Sequence, residues 1–108
     1  MTAPRFVEVG PDAVRDASEL VGRVLGSGTG ALLLAVGALP PAFFELRTGF
    51  AGELVQKLVN YQIRTAAVVP DLGAYSERFR EFAREANAGR QLRFFATRAE
   101  AVDWLEGP

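Results

Sequence analysis

The sequence predicts a single small α/β domain spanning residues 1–108, with strands and helices alternating four times and about four strands in a mostly parallel or mixed sheet packed by helices. Three observations carry this. The runs Ala31 to Val36 (ALLLAV) and Ile63 to Val69 (IRTAAVV) are rich in apolar and β-branched residues, as strands buried on both faces are. The segments between strand candidates place apolar residues at helical spacing. Gly, Pro, Ser and Asp punctuate the junctions, and no linker or repeat divides the chain.

Taken in order, Arg5 to Val9 reads as a strand stopped by Gly10 and Pro11. A helix follows, with Val14, Ala17, Leu20, Val21, Val24 and Leu25 on one face. It starts either at Pro11, a good first helical position, or at Asp16, a capping carboxylate with Glu19 three residues on. GSGTG, residues 26 to 30, follows a helix and precedes a strand. A phosphate cradle needs the opposite order, so these glycines read as a helix stop and turn. Ala31 to Val36 is the expected centre of the sheet. Leu39, Pro40 and Pro41 make a bend, and Phe43, Phe44 and Leu46 lead into a helix from about Gly49 to Tyr61. After the strand at 63–69, Ser76 to Asn87 alternates an apolar face (Phe79, Phe82, Ala83, Ala86) with a charged one. Gly89 marks its end. Leu92 to Ala96 is the last strand, and Thr97 with Glu100 makes a capping pair for a helix carrying Ala101, Val102, Trp104 and Leu105.

Composition narrows the chemistry. Hydrophobic residues make up 49% and charged residues 23%, as in a soluble globular protein. MTAPRFVEVG lacks the charged and then apolar pattern of an export leader, and no apolar run approaches a membrane span, so the chain is expected in the cytoplasm. There is no cysteine and no histidine, which removes disulfides, thiolates, the usual neutral-pH base and the commonest metal ligands. No catalytic residue, metal or cofactor is therefore expected. A net charge of −1 with scattered arginines argues against nucleic acid and against an anionic membrane.

FFELRTGFAGELVQKLVNY, residues 43 to 61, stands apart. Thr48 reads as the N-cap of its helix, Phe50, Ala51, Leu54, Val55 and Leu58 as the packed face, and Glu53 with Lys57 as an i, i+4 surface pair. Lys57 is the only lysine among twelve basic residues, yet its place on the polar side beside Glu53 fits a charged surface group and not a base. Two features exceed packing. Gly49 and Gly52 both fall in the first turns, where each costs up to about 1 kcal/mol against alanine. Beside the apolar face runs a polar stripe, Gly49, Gly52, Glu53, Gln56 and Asn60, bordered by Arg47 and Tyr61. The candidate contact surface is thus Glu45, Arg47, Thr48, Gly49, Gly52, Glu53, Gln56, Lys57 and Asn60.

The stretch FFELRTGFAGELVQKLVNYQIRTAAVV, then SERFREFAREANAG and FFATRAEAVDWL, resembles a bacterial family known as domain of unknown function 4180, over about residues 5 to 106. That resemblance implies a distant relation to STAS domains, small regulatory α/β modules without enzymatic activity. In the antagonists of that superfamily a phosphorylated hydroxyl begins this helix, which docks on a kinase-type anti-sigma factor. By position Thr48 is the candidate phosphoacceptor, although the usual acidic and small neighbours are replaced here by Leu46 and Arg47.

The leading expectation is a non-enzymatic regulatory module contacting a protein, either a transcription regulator or a second copy as a homodimer, through residues 48–61. The alternative is a small-ligand or anion site at the ends of the strands near Arg47, Thr48 and Asp71. The least supported is catalysis by Glu45 or Glu53 with Asp71.

Overall fold

A computed structural model describes residues 5–107; part of the N-terminal stretch read as lacking a leader lies outside them. Four strands, β1 (Val7–Val9), β2 (Ala31–Leu34), β3 (Arg64–Val68) and β4 (Leu92–Phe95), stand in the order β1-β2-β3-β4. Every neighbouring pair is parallel, so the sheet is purely parallel and not mixed. Its register sets Leu33 beside Glu8 on one side and Ala66 on the other.

When strand order follows chain order, crossovers of one hand deliver their helices to the same face. That is observed: the buried residues of α1 (Ala17–Ser27), α3 (Phe50–Asn60) and α4 (Glu77–Ala88) join one core with Val9, Leu32, Leu34, Ala67, Leu92 and Phe94. The short helix α2 (Pro41–Phe44) adds Phe43 to it. The opposite face presents Leu33, Ala66 and Val68 to a single helix, α5 (Arg98–Glu106), through Ala101 and Leu105. The period of two along each strand sorts the chain's apolar residues between these two cores.

Rings dominate the larger core. Phe43 is fully buried and meets Phe44, Phe50, Phe79, Phe82 and Phe94 at centroid separations of 5.4 to 6.5 Å. Such pairs add about 0.5–1.5 kcal/mol beyond the area they bury. No described buried side-chain nitrogen or oxygen lacks a hydrogen-bond partner.

Local sequence signals explain most boundaries. Asp16 caps α1, its carboxylate accepting from the Ser18 amide at 2.7 Å. Pro11 does not start that helix, because Asp12 has φ of 58° and donates its amide to the Gly37 carbonyl at 2.9 Å, tying the loops after β1 and β2 together. The GSGTG stretch ends α1 at Gly28, whose φ of 84° suits glycine, and the Thr29 hydroxyl then donates to the Arg5 carbonyl at 3.0 Å. Ser76 caps α4 through the Phe79 amide, and Thr97 caps α5 through the Glu100 amide. All four strands are shorter than their apolar runs.

Residues 43–48 differ most from expectation. They form the end of α2 and a 3₁₀ turn, Leu46–Thr48, instead of a lead-in. Pro40 and Pro41 do bend the chain, and Pro41 also opens α2 at the first helical position, where a missing amide costs nothing.

Candidate functional site

The connection from β2 to α3, residues 35–49, is the longest in the chain, and α2 with its 3₁₀ turn stands it off the end of the sheet. Between this wall and the segment from Val68 to Arg78 lies a cleft of about 810 Å³, at the C-terminal ends of β2 and β3. Small-molecule sites span roughly 300–1,000 Å³ and favour this end of α/β sheets.

The floor of the cleft is Leu34 and Val68, with Leu39, Leu46, Val69 and Pro70 extending the apolar lining. Phe44 and Tyr75 lie face to face on its wall, centroids 4.1 Å apart and planes 8° from parallel. Phe43, fixed beneath by its ring contacts, holds Phe44 and the rest of α2 in place. Polar groups stand around this apolar interior: Arg47, Arg78, Asp12, Glu45 and Ser76. Arg47 and Glu45 are 3.7 Å apart and exposed, a loose pair of little energetic weight. The first turn of α4 carries Arg78, so a guanidinium and a helix N-terminus meet at one side of the mouth.

The predicted site residues divide between two places. Glu45 and Arg47 line the cleft. Gly49, Gly52, Glu53, Gln56 and Asn60 are exposed along α3, as the stripe requires, and Lys57 is half-buried. Thr48 and Asp71 are exposed and outside the cleft lining. Among the described residues no group of three or more His, Cys, Asp or Glu side chains converges as a metal site would.

Several local expectations change. Gly49, not Thr48, is the N-cap of α3. The Thr48 hydroxyl instead donates to the carbonyls of Ala42 and Glu45, at 2.6 and 2.8 Å, and accepts from the Phe50 amide at 3.2 Å, lashing α2 to α3. Gly49 has φ of 79°, so backbone conformation accounts for it. Gly52 has no such reason: its φ is ordinary, and a Cβ added there meets nothing within 4 Å. Glu53 and Lys57 are not among the ion pairs of the described residues; on that helix the side-chain bond is Gln56 to Asn60, at 3.0 Å.

Sequence reasoning missed Phe44, Tyr75, Arg78 and Val36 as cleft residues. Their positions in the segments that follow β2 and β3, up to the first turn of α4, were the available signal, since such segments at strand C-termini build α/β sites. No helix is long and apolar enough to cross a membrane among the described residues.

A family model described as Domain of unknown function (DUF4180) matches residues 10–105. No curated protein matches the chain, and neither does any solved structure.

Proposed function

The chain belongs to the DUF4180 family, a description without an activity, and we propose from its site that it is a binding domain whose occupant is a small organic molecule seated at the ends of β2 and β3. The cleft itself is the observation that carries this reading: it is preformed, apolar at its floor and rimmed by charges of both signs. Such a lining suits a molecule with an apolar or aromatic body and a polar head, the body against Phe44, Tyr75 and Leu34, an acidic head toward Arg47 and Arg78. The domain acts by binding and not by catalysis. Glu45, Glu53 and Asp71 are all exposed, and of these only Glu45 lines the cleft, so no enclosed acid–base pair is assembled from them.

A thermal-shift screen of aromatic and aliphatic carboxylates, nucleotides and sugar phosphates tests the reading. Val36 is 53% exposed at the cleft, so Val36→Trp adds bulk there without disturbing the core. The expected result is a ligand that raises the wild-type Tm and leaves V36W unmoved. Silence across the screen, or equal shifts in both proteins, overturns it.

A second reading, contact with a protein through α3, is favoured by Gly52. An exposed helix glycine with open space above it leaves room for another backbone to come close. The regulatory role implied by the STAS resemblance belongs here, with a transcription regulator or a second copy as the partner and Thr48 as the group to be phosphorylated. A phosphate on Thr48 would remove the donor to Ala42 and Glu45 and so loosen the wall of the cleft, linking the two readings. Gly52→Trp is expected to abolish the interaction while leaving ligand-induced Tm shifts intact; an unchanged solution mass and unchanged partners would remove this reading alone.

A further inference from the structure

On the other face of the sheet, at the opposite end of β3 and β4 from the cleft, three arginines gather around the chain's only tryptophan. Arg64 begins β3, Arg93 lies in β4, Arg90 precedes it, and Trp104 comes from α5. The Arg64 guanidinium carbon is 4.1 Å from the Trp104 ring centroid and that of Arg93 is 5.3 Å from it. With Arg90, Asp103 and Gly107 these residues enclose a pocket of about 600 Å³.

Stacking on indole explains one arginine, or two taken singly. It does not explain three guanidinium groups brought together with one carboxylate, Asp103. Among the described residues none of the three has a carboxylate within 4.0 Å; the ion pairs present are Arg5–Glu106, Arg47–Glu45 and Arg98–Glu8. The one side-chain hydrogen bond any of them makes among the described residues is from Arg93 Nε to the Gly89 carbonyl, at 2.8 Å, which anchors Arg93 and leaves its terminal nitrogens free of such bonds. The C-terminus of α5 draws positive charge to this place, but a helix end carries only about half an elementary charge. Among the described residues positive charge is therefore in excess, held by stacking and by a backbone anchor before any ligand arrives.

We infer that Arg64, Arg90 and Arg93 form an oxyanion site, taking a small molecule through a phosphate or carboxylate group. Guanidinium presents paired N–H donors that match either group in a bidentate fashion. Two of the three forks are already oriented by Trp104, which lowers the cost of ordering them on binding. An oxyanion between them also relieves the repulsion among like charges. The site is independent of the cleft and shares no residue with it.

Trp104 supplies the readout, because its emission reports this pocket alone. The full chain is titrated with pyrophosphate and, separately, with citrate at constant ionic strength, with calorimetry alongside. Saturable binding of either is expected; pyrophosphate alone identifies phosphate as the head group, citrate alone identifies carboxylate. Arg90 is exposed and outside both cores, so Arg90→Gln is expected to fold and to weaken binding about tenfold or more. Arg23→Gln, exposed on α1 and outside both pockets, is expected to leave it unchanged. No saturable signal by either method overturns the inference, as does an equal loss in R23Q and R90Q, which would mean general attraction of charge.

Discussion

The two faces of the sheet are closed in different ways. On one, α1, α3 and α4 lie over the strands and α2 drives Phe43 into a cluster of rings. On the other, a single helix of nine residues lies across β3 and reaches β2 and β4. Its buried contribution is Ala101 and Leu105. Ion pairs then tie it down at both ends: Arg98 to Glu8 at 2.7 Å, and Glu106 to Arg5 at 2.8 Å. The first face is held by packing, which is insensitive to salt and mild acid. The second relies in part on exposed charges, which are not. The same sheet thus has a rigid side, whose α2 and α4 wall the cleft at the strand ends, and a side that opens more readily.

Removing Phe43 tests the rigid side hardest. Phe43→Ala deletes the ring that five others touch, and about 3–5 kcal/mol of unfolding free energy is expected to go with it, measured in urea. Because Phe43 also supports α2, ligand-induced Tm shifts at the cleft should vanish as well. A loss below that of the next variant would break the contrast between the faces.

That variant is Leu105→Ala on the second face. Leu105 keeps 8% of its surface exposed and packs in the smaller cluster, so the expected loss is about 2 kcal/mol, the low end for leucine. Its effect should centre on α5: amide exchange there quickens while α3 and α4 stay protected.

The smallest effect belongs to Arg98→Gln. The Glu8 carboxyl is held below its ordinary value, first by the hydrogen bond from Arg98 and then by that residue's charge, with partial burial opposing both. A lowered carboxyl value stabilises the fold above the unfolded value, and that contribution disappears as pH falls through the folded one. The wild type should exceed R98Q only slightly near neutrality, since the pair is exposed. The gap should close in melts run well below pH ~4, and also in high salt. A gap that persists in acid would show that Arg98 acts through packing.

The sequence made the rigid side the easier one to read. Apolar runs marked all four strands, and helical periodicity marked α1, α3 and α4, because each buries a stripe against a continuous hydrophobic face. Short elements escaped it. Pro41 was a legible start signal for α2, but four residues give no period to measure. Pro11 carried the same signal and was misleading, because its neighbour Asp12 turns left-handed to meet Gly37. Side-chain partners of exposed groups were the other blind spot: Thr48 bonds carbonyls of α2 in place of capping α3, and the exposed Glu53 makes no ion pair with Lys57 among the described residues. The cleft was legible only as a place, the C-terminal ends of the strands. Arg47 and Glu45 lie in it, whereas Phe44, Tyr75 and Arg78 depend on how far α2 and α4 lean over the sheet end, which residue spacing does not encode.

The order β1-β2-β3-β4 has one more outcome, in time and not in space. Each strand finds its neighbour in the one made just before it, so the sheet can extend one βα step at a time, much as a solenoid adds repeats, with little loop entropy at each stage. Only α5 must turn back across strands laid down earlier. It is the latch of the assembly, expected to gain amide protection last in pulse-labelled refolding, and until it closes, Leu33, Ala66 and Val68 lie open to any passing apolar surface.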